Sequence, residues 1–243
     1  METSAYIALS RQAALRREIG VIANNLANMN TTAYKGEKMV FVEHLVESRS
    51  SDSFIPTKLA FVRDVAQIRN LAEGPIQSTN NPLDMAIKGE GYFVIQTPEG
   101  DRFSRNGRFQ LDEESQLVTQ HGYPVHSSSG TPFFFSPEDT EISIARDGTV
   151  YTNNGELGKI KLVKFESEQH LQKRVGGLLV TDQTPEDVEN PVILQGALEN
   201  SNVNPILELT NMITVHRAYD SVRNFIDKED ERTSKMIQAM NQR

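Results

Sequence analysis

The chain has 243 residues, enough for one large domain or two modest ones, and its aromatic content is only 7% with no tryptophan. Cysteine is absent, which excludes disulfides and thiolate zinc sites. The net charge is −8, and residues 31–196 hold the whole excess with sixteen basic against twenty-four acidic side chains, which argues against a nucleic-acid partner.

The first predicted element is a helix over residues 3–28, with Thr3 or Ser4 as its N-cap. The asparagines and threonines of residues 28–32 end it, because their side chains compete with helical hydrogen bonds. Its larger apolar residues recur at spacings of four, three, four and three: Leu15, Ile19, Ile22, Leu26 and Met29. An average repeat of 3.5 residues is typical of a coiled-coil seam, which requires a partner helix.

The same N-terminal stretch lacks the features of a cleavable signal peptide. Charged residues are scattered through residues 1–19, and no continuous apolar region occurs there. Nowhere does the chain approach 18 uninterrupted apolar residues, so we expect no transmembrane segment. If the protein leaves the cytoplasm, it uses a route that does not depend on an ordinary signal peptide.

Residues 33–77 show no clear period. Phe41-Val42 and Ile68 suggest short extended pieces, while Pro56, Gly74 and Pro75 break any long element. We therefore expect an extended connector in this part of the chain.

From about residue 80 to residue 195, short apolar runs alternate with turn residues, which predicts a small antiparallel β-domain. Asn106-Gly107 predicts a hairpin that pairs Arg102–Ser104 with Arg108–Gln110, and Asp147-Gly148 predicts a second hairpin turn. Further along, residues 159–165 alternate at first. This places Ile160 and Leu162 on one face, and Val163 and Phe165 on the other.

The last predicted element is a helix that begins near Asn204, with Pro205 as its first helical residue. It carries a second heptad stripe, formed by Met212, Val215, Tyr219, Val222 and Ile226. Such stripes also occur in ordinary cores, here against the chain's own β-domain. The position of the two stripes at opposite ends and their 3.5-residue repeat favour use in assembly. The predicted fold class is mixed α and β, with paired terminal helices and a small, mainly antiparallel β-domain.

Three segments could carry chemistry, and each is better explained structurally. Gly89-Glu90-Gly91 lacks the third glycine and the following helix of a dinucleotide loop, so we expect tight turns or a close strand approach there. His121 and His126 have no carboxylate at a metal-ligand spacing. Residues 112–114 form an acidic run with no apolar surroundings to raise a pKa, which is typical of an exposed turn. We predict no catalytic residue, metal or cofactor, and no small-molecule substrate.

Three segments together resemble the rod and hook axial-protein family of bacterial flagella. They are Ala23–Lys35 (ANNLANMNTTAYK), Asn81–Tyr123, which contains GEGYFVIQ and SRNGRFQLD, and Gly196–Tyr219 (GALENSNVNPILELTNMITVHRAY). They follow one another in the family's order and cover both ends and the centre of the chain. One departure is Ala33-Tyr34, where many relatives carry Gly-Phe, and this suggests a tighter backbone.

The resemblance implies an inner layer in which the N- and C-terminal helices pair as a coiled coil, with a β-domain outside it. The domains expected are an N-terminal helix over 1–30, a connector over 31–79, a β-rich outer domain over 80–197 and a C-terminal helix over 198–243. The resemblance also implies export through the flagellar type III apparatus. The short length and small outer domain are most similar to the proximal rod.

The function expected is that of a structural subunit of the basal-body rod, polymerising with neighbouring rod subunits and other rod proteins through its terminal helices and transmitting torque. The alternatives are a distal-rod subunit, a soluble export or assembly factor, and a wall-remodelling hydrolase that accompanies the rod. A hydrolase would need paired carboxylates or a metal in a pocket, and the sequence shows neither.

Overall fold

The computed structural model describes residues 2–48, 57–139 and 141–241. The chain forms two compact units. The first comprises Met1–Met29, Gly36–Asn70 and Val203–Arg243, and the second comprises Asn30–Lys35 and Leu71–Asn202. Two helices and a mostly antiparallel set of strands make up these units, so the fold is mixed α and β as predicted.

The first unit contains both helices and one long hairpin. Helix α1 spans Glu2–Ala27, helix α2 spans Pro205–Asn241, and strands β1 (Glu37–Ser48) and β2 (Thr57–Arg69) pair antiparallel with a bulge between Val40 and Phe41. The sequence of residues 33–77 predicted an extended connector with only short extended pieces. Paired strands of twelve and thirteen residues occupy most of that stretch instead.

The helix ends agree with the predictions except at the N-terminus. Because α1 already begins at Glu2, Thr3 and Ser4 lie inside the helix, so neither of them is its N-cap and that prediction is wrong. Helix α2 begins at Pro205 as predicted. The side-chain oxygen of Asn204 caps it by accepting hydrogen bonds from the backbone N–H groups of Ile206 (3.1 Å) and Leu207 (3.3 Å).

The second unit is built from fifteen short strands. In chain order they are β3 (Ile76–Ser78), β4 (Met85–Ile87), β5 (Tyr92–Thr97), β6 (Gly100–Ser104), β7 (Phe109–Leu111), β8 (Leu117–Thr119), β9 (Ile142–Ile144), β10 (Thr149–Thr152), β11 (Gly155–Lys159), β12 (Leu162–Lys164), β13 (Gln172–Lys173), β14 (Leu179–Val180), β15 (Glu186–Asp187), β16 (Ile193–Gln195) and β17 (Ala197–Glu199). The largest sheet has the order β13-β14-β6-β5-β12-β15. A three-stranded sheet has the order β11-β10-β9, and the two-stranded pairs are β16-β4, β17-β3 and β7-β8.

Strand β5 separates two apolar clusters. Phe93 and Ile95 lie in the larger cluster, while Tyr92 and Val94 lie in the smaller one, as the two-residue period of a strand requires. Residues 160–165, which include strand β12, repeat this division. Ile160 and Leu162 belong to the larger cluster, and Val163 and Phe165 to the smaller, which confirms the predicted alternation.

The predicted hairpin at Asn106-Gly107 is wrong. Strand β6 pairs with β5, and β7 pairs with β8, so the two segments flanking this dipeptide are not partners. A side chain at Gly107 would come within 1.7 Å of the carbonyl oxygen of Met85. The glycine is therefore explained by a close backbone approach rather than by a hairpin turn.

The second predicted hairpin is confirmed. Strands β9 and β10 pair antiparallel across Asp147-Gly148. Gly148 has a φ of 88°, and its N–H donates to the carbonyl oxygen of Ala145 at 3.0 Å. Aspartate followed by glycine supplies the left-handed conformation that this tight turn needs.

Candidate functional site

The heptad stripe of α2 lies on the sheltered face of that helix. Val215 and Val222 are buried, and Met212, Tyr219 and Ile226 are half-buried. Helices α1 and α2 pack against one another within the first unit. Residues 230–240 of α2 are all exposed, so the sheltered stripe ends before them.

The stripe of α1 is sheltered along the helix and ends with it. Ile22 is buried, Leu15, Ile19 and Leu26 are half-buried, and Met29 is 36% exposed because it follows the end of the helix at Ala27. The structure thus places four of the five predicted α1 residues on a sheltered face. Their use between subunits and the supercoiling of the helices stay predictions.

Glu18 is an acidic residue on the sheltered side of α1. It is half-buried and lies between the positions of Leu15 and Ile22 in the stripe. Partial burial raises the pKa of its carboxyl group above the ordinary 4.5. Ionisation of Glu18 therefore opposes the burial of this face.

Asn25 connects α1 to the hairpin of the same unit. Its side chain is buried and makes two hydrogen bonds to the backbone of Glu37, donating to the carbonyl oxygen (2.8 Å) and accepting from the N–H (2.9 Å). The hairpin base is closed by the N–H of Asn70, which donates to the carbonyl oxygen of Gly36 at 2.7 Å. An asparagine can satisfy both backbone groups at once, because its amide carries a donor and an acceptor.

A buried ion cluster holds the short segment Asn30–Lys35 in the second unit. Lys35 Nζ lies 2.5 Å from Glu199 Oε1, and Arg105 Nε lies 2.6 Å from Glu199 Oε2. The N–H of Gly74 also donates to Glu199 Oε1 at 2.9 Å. Only 8%, 6% and 1% of the Lys35, Arg105 and Glu199 side chains are exposed.

The electrostatics of the cluster explain how a carboxylate is accommodated in the interior. Burial alone would raise the pKa of Glu199. The charge of Arg105 and the hydrogen bonds from Lys35, Arg105 and Gly74 outweigh that effect and hold the pKa below its ordinary value. Burial lowers the pKa of Lys35, even though Glu199 favours its charged form. Glu199 therefore carries its charge at neutral pH and is fully hydrogen-bonded.

The backbone around Lys35 is docked by further contacts. The N–H of Ala33 donates to the carbonyl oxygen of Glu199 at 2.7 Å. The N–H of Asn202 donates to the carbonyl oxygen of Tyr34 at 3.2 Å. Ala33 has a φ of 56°, a left-handed conformation that favours glycine. The predicted tightness at Ala33-Tyr34 is thus found as a strained backbone at the alanine.

The Gly89-Glu90-Gly91 loop binds the arginine of this cluster. The carbonyl oxygens of Gly89 and Gly91 accept hydrogen bonds from the Arg105 guanidinium at 2.7 and 3.4 Å. Both glycines have positive φ values, 94° and 140°, which favours the first of the two predicted explanations, a tight turn, over a close strand approach. The loop presents carbonyl oxygens to a cation, and a phosphate would require N–H groups instead.

The roles of Asn25, Lys35, Arg105 and Glu199 were not predicted from the sequence. No local pattern could have paired Lys35 with Glu199, because 164 positions separate them. The available signal was the set of three segments that resemble the flagellar family. Each of these segments contributes one member of the ion cluster.

Structural contacts account for the acidic run of residues 112–114 and for the carboxylate beside an open cleft. Asp112 accepts hydrogen bonds from the N–H groups of Glu114 and Gln116, so the acidic run forms a turn. Within the described residues, no group of three or more potential ligand side chains could hold a metal ion. An open cleft of about 680 Å³ includes Glu99, but this carboxylate is paired with Arg102 at 3.1 Å.

Neither described helix has the length and hydropathy needed to cross a membrane.

Three family descriptions match successive parts of the chain. Residues 6–35 match the flagella basal body rod protein family, residues 86–152 match the D1 domain of the flagellar hook protein FlgE/F/G, and residues 194–239 match the C-terminal part of the flagellar basal body rod FlgEFG proteins. These ranges include most of α1 and α2 and the centre of the second unit.

Curated relatives align over nearly the whole chain. The flagellar basal-body rod protein FlgF of Caulobacter vibrioides is 36% identical over 99% of this chain and 98% of its own length, and FlgF of Rhizobium meliloti is 31% identical over the same shares. The rod protein FlgG of Buchnera aphidicola subsp. Schizaphis graminum is 32% identical over 90% of this chain and 93% of its own length. With such identity over its full length, the chain belongs to the family of flagellar basal-body rod proteins and is most like FlgF.

Proposed function

We propose that this chain is a structural subunit of the proximal part of the flagellar basal-body rod. The observation that carries the proposal is the full-length alignment with FlgF proteins, which reaches 36% identity and includes both terminal helices. It is a structural protein rather than an enzyme, and it associates with other rod components. The FlgG relatives are 30–32% identical over 90–97% of this chain, so the distal rod is the second candidate.

The terminal helices are the proposed polymerising elements. Residues 1–30 and 198–243 would form an inner layer in which the two heptad stripes pair as a coiled coil, and residues 80–197 would form the outer domain. The sheltered positions on α2 repeat at alternating spacings of three and four from Met212 to Ile226, which supports a coiled-coil geometry. Residues 31–79, which contain the β1–β2 hairpin, would fill space between neighbouring subunits.

The location proposed is the rod that spans the periplasm, reached through the flagellar type III export apparatus without a cleavable signal. The support is the family membership together with the scattered charges of residues 1–19. In this position the subunits would form part of the drive shaft that transmits torque to the hook and filament.

Charges placed in both stripes test this function. In the double variant Ile19→Asp and Tyr219→Asp, two carboxylates are placed on the sheltered faces, at a cost of several kcal/mol, so incorporation into purified basal bodies should fall at least tenfold. The second unit should stay folded in solution. The matched control is Asn24→Asp with Ser221→Asp, which adds carboxylates at exposed positions of the same helices and should incorporate normally. Normal incorporation of the first variant would overturn the stripe assignment.

A further inference from the structure

The chain contains two asparagine–glycine pairs, and the structure gives them opposite surroundings. They are Asn106-Gly107 and Asn154-Gly155. In such a pair the backbone nitrogen of the glycine can attack the carbonyl carbon of the asparagine side chain, because glycine has no side chain to hinder the approach. The two dipeptides are chemically identical, so a difference in their reactivity must come from the fold.

Asn106-Gly107 is held in a packed part of the second unit. Gly107 is buried, and a side chain there would come within 1.7 Å of the carbonyl oxygen of Met85. The N–H of Met85 donates to the carbonyl oxygen of Gly107 at 2.9 Å. Asn106 donates its N–H to Ser104 Oγ at 3.1 Å, and its Oδ1 accepts from the N–H of Arg108 at 3.1 Å. A backbone packed in this way cannot turn toward the side chain unless the surrounding structure opens.

Asn154-Gly155 lies at the tip of the β10–β11 hairpin, where a two-residue turn joins Thr152 to Gly155. Asn154 and Gly155 are both exposed, and a side chain at Gly155 would meet no atom within 4 Å. The pairing of Thr152 with Gly155 is the last of its ladder, and the end of a ladder beside an exposed turn opens at little cost. The nitrogen of Gly155 therefore has the space and the freedom to approach Asn154.

We propose that Asn154 is a site of spontaneous deamidation and that the fold protects Asn106 from the same reaction. The nitrogen of Gly155 forms a bond to Cγ of Asn154, and the bond between Cγ and Nδ2 breaks. The proton of the Gly155 nitrogen passes to the departing nitrogen, so ammonia leaves and a succinimide ring remains. Water then opens the ring at either carbonyl carbon and gives aspartate or isoaspartate at position 154. The net reaction converts an amide and water into a carboxylate and ammonium.

The nitrogen that leaves contacts a carboxylate. Asn154 Nδ2 donates to Asp139 Oδ1 at 2.8 Å. The N–H bonds of an amide lie in its plane, whereas attack on Cγ comes from above or below that plane, so this contact leaves the carbon accessible. After the reaction a second carboxylate replaces the donor and repels Asp139. Because Asp139 Oδ2 accepts from the N–H of Ser136 at 2.7 Å, the repulsion should loosen residues 136–139.

Peptide mass spectrometry of the purified full-length chain, aged at neutral and mildly alkaline pH, tests the site. Conversion of amide to carboxyl should be about tenfold or more faster at Asn154 than at Asn106, since only Asn106 needs the packed structure to open. Both rates should rise with pH, because base removes the proton from the attacking nitrogen. Equal conversion at the two positions, or faster conversion at Asn106, would overturn the proposal.

Two controls separate the fold from the local sequence. In concentrated guanidinium chloride the two sites should convert at similar rates, and a preference for Asn154 that persists there would overturn the structural explanation. Asn154→Gln would have to form a larger ring, so conversion at position 154 should stop while conversion at Asn106 stays unchanged. Continued conversion at position 154 in this variant would exclude attack by the Gly155 nitrogen.

The consequence for the turn has its own measurement. Asn154→Asp imitates one product, and hydrogen exchange at the N–H of Ser136 should become about threefold or more faster in this variant. Gln110→Glu, which adds the same charge at an exposed position of β7, should leave this exchange unchanged. Equal exchange in the two variants would contradict the repulsion between position 154 and Asp139.

Discussion

At the scale of single residues, Glu199 is the most constrained side chain of the second unit. It neutralises two buried cations that come from distant parts of the chain, Lys35 and Arg105, and its carbonyl oxygen accepts a hydrogen bond from Ala33. Removing one partner of a buried ion pair is costly, because the remaining charges have lost contact with water. The cluster therefore makes the docking of residues 30–35 depend on one carboxylate.

The substitution Glu199→Gln should lower the free energy of unfolding of the second unit by about 3 kcal/mol at neutral pH. The amide keeps the shape of the side chain but leaves Lys35 and Arg105 without their main counter-charge. Urea denaturation followed by circular dichroism measures the change. Glu113→Gln, at an exposed position, is the control and should shift the free energy by less than about 0.5 kcal/mol. Equal effects of the two substitutions would contradict the role of the cluster.

The pKa of Glu199 also predicts a dependence on acid. Because its pKa in the folded state is below the ordinary 4.5, its ionised form stabilises the fold above that pH, and the stabilisation is lost as the pH falls below 4.5. The pKa values of Asp139 and Asp147 are lowered too, by hydrogen bonds, and contribute with the same sign. Urea midpoints measured from about pH 3 to neutrality should therefore fall in acid, and less steeply in Glu199→Gln. Identical slopes in the two proteins would refute the prediction.

Ala33 is strained, and glycine should relieve the strain. Residues with a side chain disfavour a φ of 56°, whereas glycine adopts it readily. Ala33→Gly should therefore raise the free energy of unfolding by roughly 0.5–1 kcal/mol, after subtraction of the extra freedom that glycine has in the unfolded chain. The control is Ala145→Gly, where φ is not positive and the substitution should cost roughly 0.5–1 kcal/mol. Thermal unfolding of the two variants under one condition should give shifts of opposite sign. A loss of stability in Ala33→Gly would exclude strain as the explanation.

At the scale of elements, the start of α2 is a helix boundary that the local sequence predicts correctly. Asn204 followed by Pro205 predicted the first turn, and the structure places the cap there. Asn204→Ala should cost about 1 kcal/mol of helix stability and speed hydrogen exchange at the amides of Ile206 and Leu207. Asn204→Asp keeps a capping oxygen and should preserve the protection. Unchanged exchange in Asn204→Ala would show that the cap contributes nothing.

Local patterns failed where a distant segment decides the outcome. Asn106-Gly107 has the chemistry of a hairpin turn, but the glycine is used for a close approach to Met85, and β6 finds its partner in β5. The long β1–β2 hairpin was missed because no short turn signal joins its strands. The alternation of Ile160, Leu162, Val163 and Phe165 succeeded because the period alone determines which face each residue occupies.

At the scale of the whole molecule, the two units interleave along the chain. The second unit takes Asn30–Lys35 from the N-terminal part of the chain and the remainder from Leu71–Asn202. Its ion cluster joins Lys35 to Glu199, so the unit is completed only when the chain as far as Glu199 is present. Heptad periodicity predicted the sheltered faces of the terminal helices. No local sequence pattern predicted the pairing of Lys35 with Glu199.

Electron microscopy of purified basal bodies shows whether this chain is a subunit of the proximal rod. A small tag fits the exposed loop of Ser128–Gly130, since these residues lie outside both apolar clusters. A tagged subunit of the proximal rod should give extra density on the membrane-proximal segment of the rod. Density further out would assign the chain to the distal rod instead. Basal bodies without the tag, with the protein free and monomeric, would contradict the claim.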